Sequence, residues 1–310
     1  MGNNGRRCML IGLPGSGKST FIAAFWHVVD SKEIEADYVV TTYPDDRDYL
    51  NNIRDLWLQC KKIERTVAEY REIFLNITDR KTDEVMEFIF PDVSGEMFLR
   101  QFQFRKFSEK YEQEISSAEG ILLFVNPKKL KGPDLITDAD TLLDGLPETA
   151  LGVSHELSAQ TNSETINQEE KPAVAGKVKV TVDFDPKNSQ TQIILVDLLQ
   201  MASLKMKKSC KICIIVSAWD AVISSQIVDG HTVLPEEWLS KYLPLLRQFL
   251  DCHPDKFTVK VYGASAQGGD YDGNIDALHD FDTPSDRIKV QDGAVLSNNI
   301  TGPIKWLLNG

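Results

Sequence analysis

The sequence predicts an α/β fold, a doubly wound and mostly parallel sheet with insertions. Three observations carry that expectation. Apolar runs of strand length alternate with stretches of helical periodicity along most of the 310 residues. The first run, residues 8–11, enters a glycine-rich turn and then residues 21–26, which are apolar on every face, as in a helix buried under a sheet. Polar loops with chemically distinctive residues follow several of the runs, at strand ends where such sheets bind ligands.

Composition narrows the class. A hydrophobic content of 42% supports a substantial core, and the pattern reads as one domain over 1–310. The net charge is −12, from 34 basic and 46 acidic residues, which argues against nucleic acid and against anionic membrane surfaces. The lysine runs at 128–131 and 205–208 read as solvated faces rather than binding patches. No stretch reaches the ~18 apolar residues of a membrane helix. The N-terminus is polar and basic without a secretory pattern, and Arg6 stands where a myristoylation signal wants a hydroxyl. A cytoplasmic protein with free thiols is expected. Cys210 and Cys213 have CxxC spacing, but they lie in a strand pattern, where residues three apart face opposite sides. Both read as packing residues. The histidines are scattered without metal spacing.

The glycine-rich turn is Gly12-Leu13-Pro14-Gly15-Ser16-Gly17-Lys18-Ser19-Thr20, which fits G-x-x-x-x-G-K-[ST], the P-loop pattern. Gly12, Gly15 and Gly17 let backbone N–H groups approach phosphate oxygens at a helix N-terminus, where the helix dipole favours anions. Lys18 would reach the β- and γ-phosphates, and the Ser19 hydroxyl would bind Mg²⁺. Pro14, Ser16 and Thr20 complete the expected phosphate contacts. A chance glycine turn has no reason to place Lys-Ser between a strand and a helix.

The helix should end near Val29. Residues 36–43 then read as a loop or short edge strand, with Thr41 and Thr42 as candidates for Mg²⁺ and the γ-phosphate; Thr42 is taken as the ligand. From Asp48 to about Glu64, Tyr49, Leu50, Ile53, Leu56, Trp57, Cys60 and Ile63 recur at helical spacing, so a packed helical insertion is expected at about 45–66. Residues 72–77 and 85–90 read as a hairpin. The second arm runs into Asp92-Val93-Ser94-Gly95-Glu96. An Asp-x-x-Gly at a strand end, one hairpin beyond a P-loop unit, can place Asp92 near Mg²⁺ and the Gly95 N–H near a γ-phosphate. Residues 97–105 read as an aromatic and basic amphipathic segment, and 120–125 as a buried strand.

Between about 128 and 189 the pattern dissolves. Residues 154–172 are polar and should form a long, partly disordered insertion, while 178–184 alternate like an edge strand. Residues 192–205 read as a helix and 210–216 as a buried strand ending in Ser217-Ala218-Trp219-Asp220. Trp219 could cover a ligand or pack in the core. Pro235 opens a helix expected to run to 253. A last strand at 258–263 delivers Ser265-Ala266-Gln267. Residues 302–308 open a further helix of about two turns, as if the chain continued in a longer protein.

This motif order resembles the Ras-like P-loop GTPase superfamily, and with it the small-GTPase-like P-loop fold. In that superfamily the fourth motif is Asn-Lys-x-Asp, whose Asp accepts hydrogen bonds from guanine. Here Asp220 matches, but Ser217 and Ala218 stand for the Asn and Lys. Ser265, Ala266 and Gln267 fit the fifth motif, which meets the guanine O6 through backbone N–H. Together with Phe-Pro-Asp-Val-Ser-Gly-Glu and the helical insertion, the chain is most similar to the double-GTPase domains of bacterial conflict and defence systems. The resemblance implies GTP and GDP as ligands with Mg²⁺, and protein partners from the same system. It implies catalytic roles for Lys18 and for Glu96, which stands where Ras-like switches carry glutamine. A glutamate accepts but does not donate, and adds negative charge beside an anionic γ-phosphate, so slow hydrolysis is expected. The missing Asn-Lys leaves an ATPase or nucleotide kinase open, and Glu96 leaves open a nucleotide-binding module with negligible hydrolysis.

Overall fold

The computed structural model describes residues 5–43, 47–63, 70–132, 184–226 and 233–309. The chain divides into two units, one of residues 1–131 with 185–310 and one of residues 132–184. The expected insertion at 154–172 and the alternating run at 178–183 lie outside the described residues. The first unit carries the sheet and the helices packed on it.

Its strands are β1 (Gly5–Ile11), β2 (Tyr38–Thr42), β3 (Tyr70–Asp79), β4 (Val85–Val93), β5 (Gly120–Val125), β6 (Cys210–Ser217), β7 (Phe257–Ser265), β8 (Lys289–Asp292) and β9 (Val295–Ser297). They form one sheet in the order β2-β3-β4-β1-β5-β6-β7-β8-β9. The pairs β4–β1, β1–β5, β5–β6 and β6–β7 are parallel, and the flanking pairs at both margins are antiparallel. Gly120–Val125 is buried at every position, and β6 at all but Lys211. Such near-continuous apolar runs belong to central parallel strands covered on both faces.

The helices are α1 (Lys18–Ser31), α2 (Arg47–Leu58), α3 (Gly95–Phe104), α4 (Glu109–Ser117), α5 (Thr191–Lys205), α6 (Trp219–Gln226), α7 (Pro235–Tyr242), α8 (Pro244–Asp251), α9 (Tyr271–His279) and α10 (Gly302–Asn309). Phe21 and Phe25 of α1, Leu50 and Trp57 of α2 and Leu307 of α10 share one core cluster. Phe98 of α3, Leu195 of α5 and Trp238 of α7 belong to another. Cys213 lies in the first and Cys210 in the second, and both are fully enclosed packing residues. From β1 the chain turns to one side of the sheet, then returns from β4 across β1 to β5. That reversal opens a crevice at the strands' C-terminal ends.

Three expectations change. The helix expected from 235 to 253 is two helices. Pro244 lacks the N–H the first helix needs to continue, and its ring disfavours helical geometry in Leu243, whose φ and ψ are −132° and 55°. The strand at 258–263 is not the last, because β8 and β9 extend the sheet beyond it; runs of four and three residues are too short to show alternation. Helix α2 stops at Leu58 rather than near Glu64, and Cys60 just beyond has φ 51°.

Candidate functional site

A cleft of about 520 Å³ opens at the C-terminal ends of β1, β5, β6 and β7. The P-loop and the start of α1 form one wall, the loop after β4 a second, and the ends of β6 and β7 the floor of the far end.

At the end formed by the glycine-rich loop the backbone does most of the shaping. Gly17 caps α1 with φ 93°, a conformation that side chains resist, and turns the helix N-terminus into the cleft. Ser16 is 5% exposed, and its hydroxyl has no hydrogen-bond partner among the described residues. The Lys18 amine is buried and donates to the Gly12 carbonyl at 2.5 Å. Burial pushes its pKa down to about 8, against the pull of Asp92 and Glu96. Gly95 lies so close to Pro14 that a Cβ there would collide with the P-loop backbone. The Asp-x-x-Gly loop is therefore packed directly on the P-loop. Ser94 caps α3 by accepting from Met97 N at 3.3 Å, which places Glu96 in the first turn and on the cleft wall.

The three metal candidates are not equally placed. Ser19 lines the cleft. Asp92 is 1% exposed, lies behind the wall, and accepts a hydrogen bond from the Tyr49 hydroxyl. Thr42 is exposed at the end of β2 opposite Asn76, away from the cleft, and the Thr41 hydroxyl is bonded to that of Thr78. An orphaned buried hydroxyl and a loop with no room for side chains suit a phosphate group. The Ser19 and Asp92 oxygens are donors of the kind Mg²⁺ takes.

The far end is built from side chains. Ser265 donates to Asp220 Oδ1, and its oxygen accepts from Gly268 N at 3.1 Å. Asp220 is thereby oriented by the very loop that carries Ser265, Ala266 and Gln267. Trp219 is fully buried, donates to Gln291 Oε1 at 2.7 Å and packs flush against Gly263. It is a core residue and does not line the cleft. Ala218, with φ 47°, lines the floor in front of it.

The family model for Double-GTPase 1 matches residues 9–307, from within β1 into α10. The chain belongs to the Double-GTPase 1 family. Comparison with curated proteins gave no match. Membership makes this a GTP-binding domain of a GTPase family, and every wall of the cleft falls inside the matched span.

The GTPase-family cleft gathers Pro14 to Thr20, Gly95, Glu96 and Ser265 to Gln267 on its walls. Gly12 lies just beneath, with Lys18 bonded to its carbonyl. Asp220 stands behind Ser265, and only Thr42 is remote. Neither Arg100 nor Arg105 reaches the cleft wall; Arg105 pairs with Asp197 at 2.6 Å.

Sequence reasoning missed two groups. The first is on α2, taken only as a packing helix. Tyr49 meets Asp92 at one end, and Trp57 Nε1 donates to Ala266 O at 2.8 Å at the other. Arg287 stacks 4.0 Å from the Trp57 ring and donates to its carbonyl and to Cys60 Sγ. The second is the end of β5. Asn126 Nδ2 donates to Gly15 O at 2.8 Å, and Lys128 and Lys129 lie on the cleft wall. Both are exposed, as the reading of the 128–131 run as a solvated face expects, and they also border the cleft. An Asn-Pro pair directly after a buried strand, in the same position as the other ligand loops, was the available signal. Among the described residues no helix is long and apolar enough to cross a membrane, and no cluster of His, Cys, Asp and Glu suits a metal site independent of nucleotide.

Proposed function

We propose that this domain has the doubly wound P-loop fold of small GTPases and works as a slowly hydrolysing GTP switch in the bacterial cytoplasm. Its GTP or GDP state would regulate a partner protein of a defence or conflict system. The observation that carries the reading is the contact of Gly95 with Pro14, which joins the two phosphate-sensing loops around the buried Lys18. A γ-phosphate seated on the P-loop would meet the Gly95 N–H at that seam. Its presence or loss would then act on α3, which begins there.

Lys18 would exchange the Gly12 carbonyl for phosphate oxygens. The P-loop amides and the Ser16 hydroxyl would hold the phosphate chain in line. Mg²⁺, held by Ser19 and through Asp92, would neutralise charge on the β- and γ-phosphates. Glu96 lines the cleft, where as a carboxylate it would accept from the attacking water but not donate to it, and no arginine among the described residues lines the cleft. Both features support slow intrinsic turnover, about 10⁻⁴ to 10⁻² s⁻¹, with acceleration when a partner supplies an arginine. The same features support a second reading, a domain that holds nucleotide with negligible hydrolysis.

The test is to release and identify the nucleotide that co-purifies with the chain, then follow single turnover of GTP with Mg²⁺. Guanine nucleotide and slow GDP formation are expected. Co-purified adenine nucleotide overturns the reading. Guanine nucleotide without turnover leaves the second one.

A further inference from the structure

In the fourth motif Ser217 and Ala218 stand where the Ras-like superfamily has Asn and Lys, and neither makes good the loss. The Ser217 hydroxyl donates to Val125 O at 3.2 Å, and Ala218 offers only a methyl group. That carbonyl belongs to the last residue of β5, beside which Asn126 and Lys128 stand. Asn126 is fixed at both ends of its amide: Nδ2 donates to Gly15 O, and Oδ1 accepts from Lys128 N at 2.9 Å. Lys128 lies on the cleft wall and pairs with Asp270 at 2.8 Å, on the loop after Gln267. Asp270 chiefly, and Asp220 more weakly, raise the pKa of its amine.

We infer that Asn126 and Lys128, delivered by the neighbouring strand, complete the guanine end of the cleft in place of Ser217 and Ala218. Asn126 is a positioning residue that ties the P-loop to β5. Lys128 is a specificity-determining residue. Asp270 lines the same end of the cleft, Asp220 stands behind Ser265, and both carboxylates act on the Lys128 amine. Lys128 balances Asp270 and leaves Asp220 to accept from guanine, while its aliphatic stem walls the base. This assignment rests on the guanine-nucleotide reading above.

The test is calorimetric binding of GDP and ADP to the whole chain and to four variants. Lys128→Met keeps the stem and removes the charge. It should weaken GDP about tenfold and leave ADP unchanged, so that discrimination narrows. Lys128→Arg should restore the preference. Asn126→Ala should weaken GDP and ADP equally, because it acts through the P-loop. Lys131→Met, in the same lysine run but off the cleft wall, should match wild type. A guanine preference that survives Lys128→Met, or one that Lys131→Met also narrows, overturns the assignment alone. A wild-type chain without guanine preference overturns the guanine reading and the assignment with it.

Discussion

The two ends of the cleft are made in different ways. The phosphate end comes from nine consecutive residues, 12–20, with Gly95 packed on top. The recognition groups proposed for it are backbone amides at a helix N-terminus and one enclosed lysine. The base end is collected from the ends of three strands, and α2 anchors it from the side through Trp57. The recognition groups proposed for it are side chains with partners within the protein: Ser265 on Asp220, Lys128 on Asp270, Asn126 on Gly15. A site made of backbone demands glycines at fixed spacing, and that demand appears in the sequence as a motif. A site made of side chains demands only that strands lie next to one another, and adjacency leaves no local mark.

The sharpest way to break this contrast is Lys18→Ala. Removing the one buried cation of the phosphate end should lower GTP and GDP affinity by about a thousandfold, as for truncating one partner of a buried charge pair. Binding of guanosine, which lacks phosphates, should not change, and circular dichroism should report an intact fold. Unchanged GTP affinity by calorimetry removes the P-loop from the site.

A smaller effect is expected one layer back. Asp92 is enclosed and held by Tyr49, so under the proposal it would meet Mg²⁺ through that orientation rather than from the open cleft. Asp92→Ala should abolish most of the Mg²⁺ dependence of GTP binding, and Tyr49→Phe should reduce it by a few-fold, as for loss of one hydrogen bond to a charged group. If EDTA weakens GTP equally in wild type and both variants, Asp92 is not part of the metal environment.

These two sites also mark what was legible beforehand. The strand–loop–helix start, the hairpin, the central strands and the Asp-x-x-Gly loop are local patterns, and the sheet contains each of them. Pro244 was equally visible, yet the amphipathic spacing of 235–253 on both sides of it outweighed the proline in the reading. Tyr49 and Trp57 were visible only as apolar positions of a helix. Their polar atoms gain a purpose once folding brings α2 against residues 92 and 266. Lys128 is exposed, as a lysine run suggests, and its place on the cleft wall emerges only once the strand before it lies beside the P-loop. Thr42 errs the other way: a threonine in a β-rich segment fitted a motif order, but β2 is the sheet's edge and carries it away from the cleft.

Smaller still is the effect of Glu96→Gln. It restores a donor and removes a negative charge beside Lys18, so single-turnover GTP hydrolysis should stay equal or rise by up to about tenfold. A loss of orders of magnitude with nucleotide still bound makes Glu96 a positive catalytic group and ends the slow-switch account. The smallest effect is expected from deleting residues 154–172, whose polar composition suits neither end of the cleft. GTP affinity should remain within about twofold, the range of substitutions away from specific features. A large loss assigns that segment to the site.

The claim that joins the two ends is that the base end selects guanine although its fourth motif is incomplete. Competition calorimetry with Mg²⁺-GTP and Mg²⁺-ATP on the wild-type chain tests it most directly. The account predicts GTP bound at least about a hundredfold more tightly, the scale on which a site that hydrogen-bonds its ligand rejects one lacking the matching donors. ATP bound as tightly as GTP would contradict it, and would leave a phosphate site with no guanine pocket beside it.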